Sequence, residues 1–238
     1  MLSKKVLKDI QSLGLKKFRE ETGLFVAEGP KIVEELMQLI PEQIDGVYAL
    51  KDWNSKAEIK GIVDISQEEL ARISQLKTPN QVVAVIKQFT PKTPALKTFT
   101  LYLDTIQDPG NFGTIIRIAD WFGIKDIVCS NGCADLYNPK VVQSTMASIA
   151  RVNVFYDEDD SWLQQQNATV YAASLHGQPL QEFQKVNDGI LVIGNESKGI
   201  RKEFLDLATK PVTIQRRGGA ESLNAAVATG ILLSHLLH

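Results

Sequence analysis

The 238-residue sequence predicts an α/β protein, in which a parallel sheet flanked by helices follows a smaller α/β domain. Three observations predict it. From residue 98 onward, apolar strand-like runs alternate with helix-like periodicity, the pattern of a parallel sheet covered on both faces. A polar stretch with two prolines, Thr90-Pro91-Lys92-Thr93-Pro94-Ala95-Leu96-Lys97, separates this region from what precedes it. Proline disfavours continuous helix and removes a ladder donor. Hydrophobic residues are 44% and charged residues 23%, enough apolar material for a packed core. The expected organisation is a first domain over 1–90, a linker over 91–97 and a second domain over 98–238.

In the first domain, Val6, Leu7, Ile10 and Leu13 fit one helix face, stopped by Gly14. Leu24–Ala27 reads as a short strand. Pro30 opens a helix whose apolar residues Val33, Leu36, Met37 and Ile40 follow i, i+3, i+4, i+7. Val47–Leu50 and Ile62–Ile65 read as strands, Ser66 and Glu69 as a capping box, and Gln81–Ile86 as a β-branched strand. After the linker, strands are expected at Thr100–Thr105, Asp126–Ser130, Val152–Tyr156, Thr169–Ser174, Ile190–Ile193 and Val212–Gln215. Helices are expected from about Asn111 to Phe122, about Pro139 to Ile149, and Ser222 to Leu237. Ligands on such sheets sit beyond the carboxyl ends of the strands.

Several classes are excluded. The longest apolar run, Ala225 to Leu233, falls far short of the ~20 residues a bilayer needs. Met1 to Lys5 has no apolar stretch behind it, so no secretory signal is expected and a cytoplasmic location is the simplest reading. Cys129 and Cys133 cannot build a disulfide framework, and without further Cys or suitably placed His they make a poor zinc site. His176, His235 and His238 lack metal-ligand spacing, and Asp157-Glu158-Asp159-Asp160 reads as a solvated loop, so no metal is expected. Neither a G-x-G-x-x-G fingerprint, a phosphate-binding P-loop nor a G-x-S-x-G elbow is present, which argues against a nucleotide-dependent oxidoreductase. Net charge is −2, unevenly spread: Lys4, Lys5, Lys8, Lys16, Lys17 and Arg19 against Asp9 give residues 1–19 a net +5, leaving −7 elsewhere. A basic end of this kind either seats a phosphate backbone or is a solvated helix face.

Three loops fall at the carboxyl edge. The first is Asp108-Pro109-Gly110-Asn111-Phe112-Gly113, with Arg117 six residues after Asn111 in an otherwise apolar helix. Asn111 either caps that helix or holds a substrate oxygen, and an Arg there is costly unless it reaches an anion or partner. The second, Leu191 to Ile200, ends a buried strand in Gly194-Asn195-Glu196, where glycine lets a ligand approach the backbone. The third, Ile214-Gln215-Arg216-Arg217-Gly218-Gly219-Ala220-Glu221-Ser222-Leu223-Asn224, leads into the last helix with Ser222 as a candidate N-cap.

In this order and spacing the loops resemble the three signature motifs of the SpoU (TrmH) family of RNA ribose 2′-O-methyltransferases, in the SPOUT class. The resemblance covers Leu101 to Leu237, its motifs being Asp108–Arg117, Val192–Gly199 and Ile214–Ala228. The first domain, through Lys16-Lys17-Phe18-Arg19 and Gly23 to Gly29, is similar to the ribosomal-protein-like substrate-binding domain that precedes this core in many members. The resemblance implies a C-terminal deep trefoil knot, a homodimer with its active site at the interface, S-adenosylmethionine as cofactor and RNA, ribosomal RNA in particular, as substrate. It implies that Gly194, Ile214 and Leu223 contact the cofactor, largely through backbone, and that Asn195 and Glu196 shape its pocket. By the same resemblance Asn111, Arg117, Ser222 and Asn224 are the catalytic set.

The family's proposed base corresponds to Arg117, an uncomfortable role for a guanidinium, and the alternative is a cation clamping the phosphate beside the target ribose. Two places depart from the family pattern. Ile214-Gln215-Arg216 stands where Ile-Pro-Met is common, and Gln143-Ser144-Thr145-Met146-Ala147 where many members have Arg-Ala-Ser-Met-Gly. These departures leave transfer RNA as an alternative substrate and a non-catalytic RNA-binding dimer as an alternative function.

Overall fold

The computed structural model describes residues 1–55, 61–94, 96 and 98–237. Ala95 and Lys97 of the expected linker, and His238, lie outside the described residues. In chain order the elements begin with α1 (Lys4–Ser12), α2 (Lys16–Thr22), β1 (Leu24–Glu28), α3 (Pro30–Leu39), β2 (Ile44–Leu50), β3 (Ile62–Ile65), α4 (Gln67–Ile73) and β4 (Val82–Lys87). They continue with β5 (Thr100–Asp104), α5 (Pro109–Trp121), β6 (Asp126–Ser130), α6 (Pro139–Thr145) and β7 (Asn153–Asp157). The last are β8 (Val170–Pro179), β9 (Ile190–Gly194), α7 (Lys202–Leu205), β10 (Lys210–Thr213) and α8 (Ala225–Leu236). They form two compact units, Met1–Thr90 with Asp135–Ala150, and Pro91–Ala134 with Arg151–His238.

The first unit holds a mixed sheet of order β1-β4-β2-β3, with β4 antiparallel to both neighbours and β2 parallel to β3. The β-branched run Val82–Ile86 is buried throughout, as a strand covered on both faces requires. Ser66 and Glu69 form the expected capping box of α4. The helix α2 was not anticipated; its stop, Gly23 at φ 65°, was the available signal. Arg19 is a correction to the basic end: it is buried, donates to the Leu13 carbonyl at 2.8 Å and pairs with Asp135. Lys16 and Lys17 pair with Glu20 and Glu21 one turn on, so this stretch is a charge-balanced helix face rather than a run of free cations. The segment 135–150 joins this unit through a ring cluster in which Tyr137 lies 4.9 Å from Phe25 and accepts a hydrogen bond from the Phe89 amide.

The second unit holds a six-stranded sheet of order β10-β8-β9-β5-β6-β7, parallel at every pairing, as the alternation predicts. Its central strands are buried and apolar over residues 101–103 of β5 and 190–193 of β9, and Pro211 is tolerated because β10 is an edge strand. From β5 the chain steps outward through β6 and β7, then returns to build β8, β9 and β10 on the other side. The order therefore switches between β5 and β9, where Asp104 pairs with Gly194. The loops after these strands, the first and second candidate loops, are thereby neighbours at the switch point. The acidic run is solvated only at its middle, Glu158 and Asp159: Asp157 is buried and accepts from the Tyr102 hydroxyl at 3.2 Å, and Asp160 accepts from the Asn131 amide. No described helix is long and apolar enough to cross a membrane.

Candidate active site

The first loop is built by local rules. Asp108 caps α5, accepting from the Asn111 amide at 2.8 Å, and Pro109 takes the first helical position. With capping done by Asp108, the Asn111 side chain is free for longer-range contacts. Its Nδ2 donates to Glu196 Oε1 at 2.5 Å, and its Oδ1 accepts from Asn224 Nδ2 at 2.7 Å. A single hydrogen-bond chain therefore runs from the third loop through the first to the second.

The second loop folds back on itself. Asn195 and Gly199 exchange backbone hydrogen bonds at 3.1 and 2.8 Å. Asn195 Oδ1 accepts from the amides of Ser197 and Lys198, and its Nδ2 donates to the Thr105 carbonyl at 2.9 Å. Gly194 is required by this fold, whatever approaches it from the cleft. A Cβ there would stand 2.4 Å from the Gly199 carbonyl carbon and the Ile200 nitrogen.

The third loop corrects the expected cap. Helix α8 begins at Ala225, and its cap is Asn224, which accepts from the amides of Ala226 and Val227. Ser222 lies in the exposed approach to it. Gly218 and Gly219 have open space around them and ordinary φ, so neither is demanded by packing here.

Between the second and third loops opens a cleft of about 860 Å³. Gly194, Asn195, Glu196, Ile214, Ser222 and Leu223 all line it, as do Lys198 and Arg216. Its volume is within the ~300–1,000 Å³ of small-molecule sites. Ile193, Ala225, Ala228 and Leu232 supply apolar wall, and Glu196 and Glu221 supply carboxylates. A second hollow, about 570 Å³, opens around Thr98, Thr169, Asp188 and Lys210 and holds none of these loop residues.

Arg117 is not brought into the cleft. It stands on the exposed side of α5 between Thr114 and Trp121, and no ion pair or hydrogen bond holds its side chain among the described residues. The cost expected of an Arg in an apolar helix does not arise, because Arg117 stands in solvent, opposite the buried face of Phe112, Ile115, Ile116 and Ala119. Helix α8 packs on α5, with Ile118 Cδ1 3.8 Å from where a Gly230 Cβ would stand.

Sequence reasoning missed a charged network beneath the loops. Asp104, wholly buried at the end of β5, accepts from Arg201 Nε and Arg201 N, both at 2.7 Å, and Arg201 Nη1 donates to Asp160 at 2.7 Å. Burial opposes the Arg201 charge, but its hydrogen bonds to Asp160 and Asp104 outweigh this and hold its pKa above the ordinary value. A lone aspartate closing an apolar strand was the available signal.

Comparison with known proteins matches this geometry to a family. Residues 98–234 match the SpoU rRNA Methylase family, and residues 4–84 the MRM3-like substrate binding domain. The chain is 30% identical over 237 residues to the 23S rRNA (guanosine(2553)-2'-O)-methyltransferase RlmP of Bacillus subtilis, covering 97% of this chain and 95% of that protein. A TrmH-family protein from Porphyromonas gingivalis superposes with a TM-score of 0.87 at 35% identity, covering 100% and 98% of the two chains. An AdoMet-bound rRNA methyltransferase from Sinorhizobium meliloti does so with a TM-score of 0.85 at 30% identity, covering 99% and 95%. The family match takes in the six-stranded sheet, all three loops and most of α8: the chain belongs to the SpoU rRNA methylase family.

Proposed function

We propose that this protein transfers a methyl group from S-adenosylmethionine to a ribose 2′-hydroxyl of ribosomal RNA. The observation that carries the reading is the hydrogen-bond chain Asn224–Asn111–Glu196, which ties all three family motifs together and ends on a residue that lines the cleft. The cleft fits the cofactor. Its apolar wall suits an adenine ring, its loop amides and carbonyls suit the ring's edge, and Glu196 and Glu221 suit a cation. Gly194, Asn195, Glu196, Ile214 and Leu223 would hold it.

When bound, S-adenosylmethionine supplies an electrophilic methyl on a cationic sulfur that becomes a neutral thioether. Because charge is lost rather than gained at the leaving atom, the protein needs no oxyanion hole. Its work is to align the ribose oxygen and favour loss of its proton. Arg117 acts as the cation that clamps the phosphate beside the target ribose, since its side chain stands exposed and unengaged by the described residues. Asn111 and Asn224, held to each other by a hydrogen bond, orient the reacting groups beside the cleft, and Ser222 lines the cleft from the third loop.

The enzyme works as a homodimer. Thr114, Arg117 and Trp121 form an exposed stripe on α5; Val227 and Ile231 form another on α8. Trp121 is 85% exposed, Val227 52% and Ile231 39%, and the two helices that carry them pack together. Burying these stripes against a second copy would bring Arg117 to an interface. The first unit engages the RNA through Lys4, Lys5 and Lys8, without Arg19. A cytoplasmic location accords with this reading and with the lack, among the described residues, of a helix able to cross a membrane. Methyl transfer to a ribosomal RNA fragment, followed by alkaline hydrolysis, tests the reading. It predicts a labelled alkali-resistant dinucleotide, because a blocked 2′-oxygen cannot attack the adjacent phosphate. Label recovered only in mononucleotides would refute it.

A further inference from the structure

Thr105 is β-branched yet sits at φ 53°, a left-handed conformation such residues rarely adopt. Strain of this kind persists where the surroundings over-determine it. Here the Thr105 amide donates to Ser130 Oγ at 3.0 Å, and that hydroxyl lies 3.2 Å from Asp104 Oδ1. The Thr105 carbonyl is thereby aimed at Asn195 Nδ2. The adjacent residue, Asp104, receives both the backbone amide and the guanidinium of Arg201. The two ends of the second loop are therefore fastened to two consecutive residues at the end of β5. Between these fastenings stand Glu196, Ser197 and Lys198, which line the cleft. Asp160 holds the outer side of the guanidinium, and the Phe204 ring lies 4.6 Å from its central carbon. Such a support has no evident purpose in the fold alone, since an apolar pair would close the strand end without a buried charge.

We propose that Asp104 and Arg201, with Asp160 and Ser130, are positioning residues for the methyl transfer, a strut that sets the second loop for the cofactor. The proposal rests on the reading of the cleft as the S-adenosylmethionine site. Neither residue touches the cleft, so their effect is on where Glu196 and the loop backbone stand.

The test measures three quantities on the full-length protein: S-adenosylmethionine affinity by calorimetry, RNA affinity without cofactor, and hydrogen exchange at the amides of 195–199. Because removing the buried Asp104 charge can prevent folding, the variants are Arg201→Lys, Arg201→Ala and Asp160→Asn. The expected result for Arg201→Ala is about a 10- to 100-fold weaker cofactor affinity, with faster exchange confined to 195–199 and RNA affinity within twofold. Arg201→Lys, which keeps the charge but not the fork, should recover part of the loss, and Asp160→Asn should show a smaller loss of the same kind. Unchanged cofactor affinity in a folded Arg201→Ala would overturn the proposal. So would parallel loss of cofactor and RNA affinity, which marks a general structural role. If the wild type itself failed to bind the cofactor, the reading of the cleft would fall, and exchange at 195–199 would still judge the strut.

Discussion

Asn224 holds Asn111. Its Nδ2 donates to Asn111 Oδ1 at 2.7 Å, while its own Oδ1 accepts from the amides of Ala226 and Val227 at 3.0 and 3.2 Å. One carboxamide thus starts α8 and fixes the residue that reaches Glu196. This makes the helix start and the site geometry one structure, and the two roles can be separated. Aspartate caps as well as asparagine but cannot donate to Asn111. Asn224→Asp should therefore keep the thermal midpoint near wild type and lose most methyl transfer. Asn224→Ala should lose activity and also about 0.5–2 kcal/mol of stability. Thermal unfolding and a single-turnover rate on each variant check this; an active Asn224→Asp would detach the contact from the chemistry.

Arg117 is exposed and outside the cleft. Arg117→Ala should change stability by no more than about 0.5 kcal/mol and leave cofactor affinity within twofold. Turnover should fall by about 100-fold or more, as expected when a reacting group is no longer held in place. Lysine at this position should restore part of it, because a phosphate clamp needs a cation. Calorimetry and steady-state rates decide, and full activity of the alanine variant would remove Arg117 from the site.

Ile231 lies on the exposed stripe of α8, so glutamate there is tolerated by an isolated chain but not by an apolar interface. Ile231→Glu should sediment as a monomer, keep its thermal transition and lose activity. A dimeric Ile231→Glu would place the interface elsewhere.

Glu28 is buried at the end of β1, where it accepts from the Ser74 hydroxyl and the Gln75 amide. Burial raises its pKa above the ordinary 4.5, and the two hydrogen bonds only partly oppose this. A raised folded-state value means the folded chain binds the proton more tightly. The stability this contributes is complete below about 4.5 and is lost as pH rises through the folded value. Glu28→Gln removes that slope, so its stability relative to wild type should improve as pH rises above 4.5. Urea denaturation at a series of pH values measures it; a difference independent of pH would contradict the assignment.

Much of the second sheet was legible because its signals are local. Buried parallel strands are unbroken apolar runs, and Asp126–Ser130 was read to the residue. Ile62–Ile65 and the Ser66–Glu69 capping box were equally plain in the first unit. Longer-range facts were not legible. The placement of 135–150 with the first unit depends on Tyr137 meeting Phe25 and Phe89, partners remote in sequence. The start of α8 was misread because Ser222 and Asn224 are equally good caps, and the contact of Asn224 with Asn111 goes with the choice. Gly194 was noticed, but one reason for it was hidden: the atoms that forbid a side chain there belong to the chain's own loop, at Gly199 and Ile200. The three loops stood out by their place at the carboxyl ends of the strands, but the hydrogen bonds joining them span 85 and 113 positions and no spacing announces them. The Asp104–Arg201 pair, 97 positions apart, was equally hidden.

The most direct test of the account is methyl transfer to cellular RNA lacking this modification. Purified protein, S-adenosylmethionine and RNA from a strain deleted for the gene are incubated, and the ribosomal and transfer RNA pools are digested to nucleosides for mass spectrometry. The account predicts the gain of one 2′-O-methylnucleoside in the ribosomal pool, and its absence with Asn111→Ala. A base-methylated nucleoside, or a gain confined to transfer RNA, would contradict it.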